Sequence, residues 1–188
     1  GILPVAVATA MFGAGVAQAV TIGEGGPESV TVSTNVTANY WVSNNGTLVI
    51  NNNGGQMQSF YGTIDGSNLS TSTNGSRADS ARGNVTITAA NGLTLYGDVG
   101  ATNGTGNMTL EAGSTLYLAD NMTTFRTSNL TIGTGSTVYT GNNASQGYNR
   151  ASGDALTMTS NITMRGSSTL NVGNGTTITG NIFGDSDG

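Results

Sequence analysis

Apolar and polar residues alternate along most of this chain, and they do so inside one phrase that keeps returning. It reads NMTLEAGSTLYL from Asn107, NLTIGTGSTVYT from Asn129 and NITMRGSSTLNV from Asn161. A weaker copy, NVTITAANGLTL, starts at Asn84, and a fainter one, NYWVSNNGTLVI, starts at Asn39. The starts at 84, 107 and 129 are 23 and 22 residues apart, and 45 residues, about two such steps, separate 39 from 84. Alternation at period two is the mark of a half-buried strand. Each phrase therefore predicts two short strands joined by a corner rich in Gly and Ser, residues that turn the chain cheaply.

Neither strand carries enough apolar surface to form a sheet by itself. Its natural partner is the same strand one repeat away, which makes the pairing parallel and the chain a stack of rungs about 4.8 Å apart. The stack would place Val85, Met108, Leu130 and Ile162 in one inward column and Ile87, Leu110, Ile132 and Met164 in the next. Leu116 and Leu118 would face in, with Tyr117 outward. Asn84, Asn107, Asn129 and Asn161 would stand one above another at a corner, where stacked amides can hydrogen-bond along the stack. A third short stretch in each repeat, such as Tyr96 to Val99 or Met122 to Phe125, suits a winding with three strands per turn. The expected fold is all-β, a right-handed parallel β-helix (β-solenoid) with coils of about 22 residues.

The ends and interruptions refine this picture. Gly1 to Ala19, GILPVAVATAMFGAGVAQA, is apolar and uncharged and closes on Ala17-Gln18-Ala19, the pattern of a signal peptidase site. Residues 1–19 are read as an export signal whose basic start lies upstream, with Val20 the first mature residue and 20–188 a β-helix that continues beyond this sequence. A membrane helix or a pilin-type N-terminal helix is the alternative for that run. Residues Val20 to Val36 are expected to cap the stack, since a first rung otherwise leaves an unpaired edge. Of Tyr40 and Trp41 only one can face the interior. Phe60 and Ile64 would supply core, Gly66 to Gly83 reads as a protruding loop, and the 32-residue step from Asn129 to Asn161 reads as an insertion spanning TGNNASQGYNRASGDA. One further rung begins within Asn171 to Ile182.

Composition narrows the function classes. Five arginines and no lysine against ten acidic residues give a net charge of −5, which rules out a phosphate-neutralising surface for nucleic acid. Absence of cysteine fits a secreted repeat stack that needs no disulfides. The lack of His and Cys removes the common zinc sites and the His-based nucleophile triads, and no phosphate-cradling loop occurs, so no cofactor is called for. Asn-x-Ser/Thr recurs through the chain, as expected of its Asn- and Thr-rich composition.

The signal ending Ala17-Gln18-Ala19 and the phrases Asn107 to Leu118, Asn129 to Thr140 and Asn161 to Val172 resemble the passenger domains of Gram-negative autotransporters and related β-helical surface adhesins. NGTTITGNI, from Asn174 to Ile182, is similar to rungs of the same class. The resemblance covers most of the chain from Asn84 onward, and it implies export, a place at the cell surface or outside the cell, and a C-terminal membrane barrel, whose strands are not in this sequence. The expected role is a structural or adhesive stalk that contacts glycans, neighbouring or host cell surfaces, or copies of itself, with the membrane reached only through that translocator. Candidate ligand contacts are Trp41, Arg77 and Arg82, and Tyr148 and Arg150 in the second loop. Two alternatives stand beside this one. A polysaccharide-active enzyme would need carboxylates such as Asp98, Glu111 and Asp120 gathered in a groove. An ice-binding solenoid would need two outward Thr columns in phase, whereas Thr86/Thr88, Thr157/Thr159 and Thr177/Thr179 fall at different points of the repeat.

Overall fold

The computed structural model describes residues 6–7, 19–23, 26–52, 54–66, 82–143, 148–149 and 155–185, of which 6–7, 142–143 and 148–149 are described through their backbone alone. All regular structure among them is β. The strands fall mainly into three sheets, and every pairing within these three is parallel. The first runs Ala6–Val7, Ser29–Val32, Thr47–Asn51, Asn84–Thr88, Thr105–Leu110, Thr124–Ile132 and Leu156–Arg165, with Thr176–Thr179 and Ile182–Asp185 both laid along the last of these. The second runs Gln58–Phe60, Leu93–Leu95, Thr115–Leu118, Thr137–Tyr139 and Thr169–Asn171. The third runs Ala19–Ile22, Asn39–Val42 and Ile64–Asp65, and single bridges carry it on through Val99 to Phe125. In chain order the strands visit the third, first and second sheets, then start again. This arrangement is consistent with a parallel β-solenoid.

The registers explain why. Val30, Leu48, Val85, Met108, Leu130, Ile162 and Ile182 are successive partners in the first sheet, and Val32, Ile50, Ile87, Leu110, Ile132 and Met164 form the adjacent file. The second sheet contributes Leu93, Leu116, Val138 and Leu170. The third contributes Tyr40, Ile64, Val99, Phe125, Met158 and Ile178. Most of these side chains are fully buried in one cluster. Burying a branched aliphatic side chain is worth roughly 1.5–3 kcal/mol, so each rung gains its stability by landing on its neighbour. At the last described rung the same file is uncovered: Ile162 is 0% exposed and Ile182 is 53% exposed, with Phe183 and Val172 also open.

Two expectations change. The faint phrase at Asn39 is not a copy in register: Thr47, not Asn39, stands opposite Asn84, and Asn39–Val42 belongs to the third sheet. The same apolar alternation suits either sheet, so alternation alone does not set the register. Residues Val20 to Val36 do not simply cap the stack, because Ser29–Val32 is a full rung paired on both sides, by Ala6–Val7 and by Thr47–Asn51. Part of the proposed insertion is an antiparallel hairpin, Asn142–Asn143 against Tyr148–Asn149. Ala6–Val7 and Ala19, within the expected signal, have strand partners of their own at Val30–Thr31 and Asn39. Among the described residues no helix is long and apolar enough to cross a membrane.

Tyr40 takes the inward position of the Tyr40-Trp41 pair at 1% exposure, and its ring packs on Phe60 with centroids 5.5 Å apart. Its hydroxyl is buried with no hydrogen-bond partner, and burial pushes its pKa up. An orphaned buried hydroxyl costs on the order of 1–3 kcal/mol, so Tyr40→Phe is expected to raise the urea midpoint. In the same assay Leu130→Ala should cost about 2–5 kcal/mol as a mid-column cavity, and Ile182→Ala, at the uncovered end, well under half of that. Equal losses for the two truncations would contradict a shared column.

Candidate functional site

The corner between the third and first sheets concentrates the outward polar groups. Asn107, Asn129 and Asn161 are direct register partners, and Asn84 stands one rung before Asn107. The amide of Asn129 donates from Nδ2 to Oδ1 of Asn107 at 2.9 Å. Oδ1 of Asn84 accepts the backbone N–H of Asn107 at 2.9 Å, and Oδ1 of Asn161 accepts that of Asn181 at 3.1 Å. The expected Asn column is therefore present, mixed between side-chain and backbone links. Residues just before these amides are small. A Cβ on Gly83 would sit 2.4 Å from the carbonyl oxygen of Ser43, and one on Gly106 would sit 2.6 Å from that of Arg82. The result is a trough of about 580 Å³ lined by Asn84, Asn107, Asn129 and Asn161, with Ser128, Arg82 and the Asn44-Asn45 turn.

Arg82, expected as a ligand contact, lies half-buried at this trough. Its Nη1 is 3.0 Å from where a Cβ on Gly104 would stand, so its side chain lies against that bend. Trp41 faces outward from the third sheet, half-buried, in register with Thr21 and Asp65, and does not join the trough lining. Arg77 and Arg150 lie outside the described residues, and Tyr148 is described only as backbone in the hairpin. Of the two expected contacts whose side chains are described, Arg82 lines the trough and Trp41 does not.

Asp65 and Arg126 form a cluster that the sequence did not signal. Asp65 is 5% exposed because the bend at 100–104 folds over it. Its Oδ1 accepts the N–H of Thr102 at 2.9 Å and, more weakly, that of Asn103 at 3.4 Å. Arg126 closes the other side, donating from Nε to the carbonyl of Gly100 and from Nη2 to that of Thr102, both at 2.9 Å. Burial pushes the Asp65 carboxyl up; the two N–H groups and the Arg126 charge pull it down, and nearby Asp98 adds to the rise, leaving it above the ordinary value.

Asp98 accepts the N–H groups of Thr123 and Thr124, while Glu111 is exposed at the corner joining the first and second sheets. Among the described residues no group of three or more His, Cys, Asp or Glu is gathered. The threonines fall differently from expectation. Thr86, Thr109, Thr131 and Thr163 form one outward file two residues along from the Asn file. Thr157 and Thr159 stand in register with Thr177 and Thr179, so those two pairs are in phase with each other and not with Thr86/Thr88.

Outward tyrosines also stack, Tyr61 on Tyr96 at 4.7 Å and Tyr117 on Tyr139 at 5.0 Å, with ring planes within 18° and 7° of parallel. Each ring turns a face to its partner, so these pairs staple neighbouring rungs together. No family model matches the chain, and no curated protein or solved structure matches it either.

Asp65 supplies a pH test. Its folded pKa lies above its unfolded one, so the folded chain holds this proton more tightly and stability falls as pH rises through that interval, from about the ordinary 3.8 upward. Asp65→Asn keeps an acceptor for Thr102 and should flatten that part of the stability–pH curve. Asp65→Ala leaves the bend's N–H groups without their acceptor and should cost about 1–3 kcal/mol at neutral pH. Urea titrations at a series of pH values read both; an unchanged pH slope in the Asn variant would contradict the assignment.

Proposed function

We propose that this chain is an exported structural or adhesive β-solenoid of the cell surface, similar in role to an autotransporter passenger, wound as a right-handed parallel β-helix. The observation that carries the reading is the register itself: the apolar files run the length of the described stack while amides, hydroxyls and aromatic rings repeat outward on every side. Such a stack lengthens by adding like units and presents a long polar flank, which suits a stalk. Right-handed winding follows the strong preference of parallel crossovers. In this reading residues 1–19 direct export, and contact with sugars, cells or other copies is made by the outward face of the stack; most of 66–83 and 141–154 lies outside the described residues.

Protease treatment of intact producing cells, together with beads coated in the purified chain, tests both halves of the proposal. The chain should be cleaved from outside the cells, and coated beads should retain cells or glycan-coated surfaces. Full protection inside intact cells would sink the export half, and beads that retain nothing from a broad glycan and cell panel would sink the adhesive half.

One observation favours a second reading. The Thr86–Thr163 file beside the Asn file gives a regular polar array on the outer face of the first sheet, and a flat array of that kind suits a crystalline surface such as ice. Thermal hysteresis of the purified chain measures this directly, and its absence at millimolar protein disposes of the idea.

A further inference from the structure

We infer that the trough at the corner of the third and first sheets binds an extended, uncharged polyhydroxyl chain, a neutral glycan, lying along the stack axis. The inference rests on the adhesive reading above and names the ligand class for one specific site. Four carboxamides stand in file along the trough, and the distance from Asn84 to Asn161 is three rung steps, about 14 Å. A file of that length matches a chain-like ligand better than a compact one.

The chemistry of the lining sets the class. Each carboxamide carries both a donor and an acceptor. Oδ1 of Asn84, Asn107 and Asn161 is engaged within the stack, while their Nδ2 groups have no hydrogen-bond partner among the described residues. Three neutral donors along the file, at Asn84, Asn107 and Asn161, suit hydroxyl and ring oxygens repeated along a polymer, while Asn129 between them keeps its Nδ2 on Asn107. Arg82 is the charged group among the described residues that line the trough, and its side chain lies against Gly104. A polyanion would therefore meet one cation at one end of the file in a chain of net charge −5, and would be disfavoured along the rest. The concave shape separates this site from the Thr file beside it: a trough of about 580 Å³ encloses a strand of sugar, and a flat crystal face would leave it unfilled.

The test uses the whole ¹⁵N-labelled chain, titrated with neutral cello-, xylo-, manno- and chito-oligosaccharides and, separately, with oligogalacturonate. The side-chain Nδ2 resonances of Asn84, Asn107, Asn129 and Asn161 report the trough directly. At least one neutral oligosaccharide should shift them, and oligogalacturonate should bind more weakly. Asn84→Asp with Asn161→Asp keeps each Oδ1 acceptor inside the stack and removes two outward donors. Affinity should fall about tenfold while the melting temperature stays close to that of the parent chain. Arg82→Gln should change affinity by less than about threefold.

The inference is overturned if no neutral oligosaccharide shifts the trough amides, if the double variant binds as tightly as the parent, or if only oligogalacturonate binds. Beads that still adhere while the trough amides stay silent would overturn this site alone and leave the adhesive reading in place.

Discussion

Like must land on like in this chain, because no single rung can fold by itself. A strand of four or five residues with two inward apolar side chains gains little until the strand before and after it covers both edges. Met108 illustrates the point: it stands between Val85 and Leu130, and all three are fully buried. A slip of one residue would send Thr109 inward and Met108 out. Register is therefore the condition on which the core, the corners and the outward files all depend. At the last described rung that condition is met on one side only, and Ile182, Phe183 and Val172 are exposed there.

Corners pose a second problem, since a turning backbone carries N–H groups away from the ladder, and a buried unpaired N–H is costly. The chain answers with short side-chain acceptors placed on a neighbouring rung. Asn35 takes the N–H of Ser59, Asn39 that of Thr63, Asp98 that of Thr123 and Asn84 that of Asn107, each at 2.9 Å. On the inner side of another corner Ser114 Oγ accepts from Ala89 and Ser136 Oγ accepts from Ser114, at 2.9 and 3.0 Å. This device gives a physical reason for Asn, Asp and Ser at these corners. It also accounts for part of the glycosylation-like spelling: in Asn84-Val85-Thr86 and its counterparts at 107, 129 and 161, Asn and Thr are simply the two outward residues flanking an inward one.

How much of this could be read from the sequence divides along the same line. The inward files of the first sheet, the Asn column, the third strand per repeat and the opposite facing of Tyr40 and Trp41, though not which of the two is inward, all follow from alternation plus repeat length. What stayed hidden depended on distances the alternation does not encode. Asn39 and Asn84 head similar phrases, yet they sit in different sheets, and both phrases pass to the next sheet across a four-residue corner, 43–46 and 89–92, so neither alternation nor that corner tells them apart. The tyrosine staples join residues far apart in the chain and at unequal steps. Asp65 and Arg126 meet only because the 100–104 bend folds between them. The small residues before the stacked Asn side chains were visible as letters, but their role appears only when a Cβ is set against the carbonyl one rung away.

The placement of irregular segments follows from the first constraint and bears on the second. An extra residue within a strand would invert every side chain beyond it, whereas extra residues at a corner leave the files intact. Both long interruptions obey this. One separates Ile64–Asp65 of the third sheet from Asn84–Thr88 of the first, and the other separates Thr137–Tyr139 of the second from Leu156–Arg165. The first interruption ends at Arg82 and Gly83, which also line the Asn trough. The first interruption and the row of outward amides thus share one corner, while the second interruption lies where the chain passes from the second sheet to the third, and in both places the surface changes without disturbing the stack.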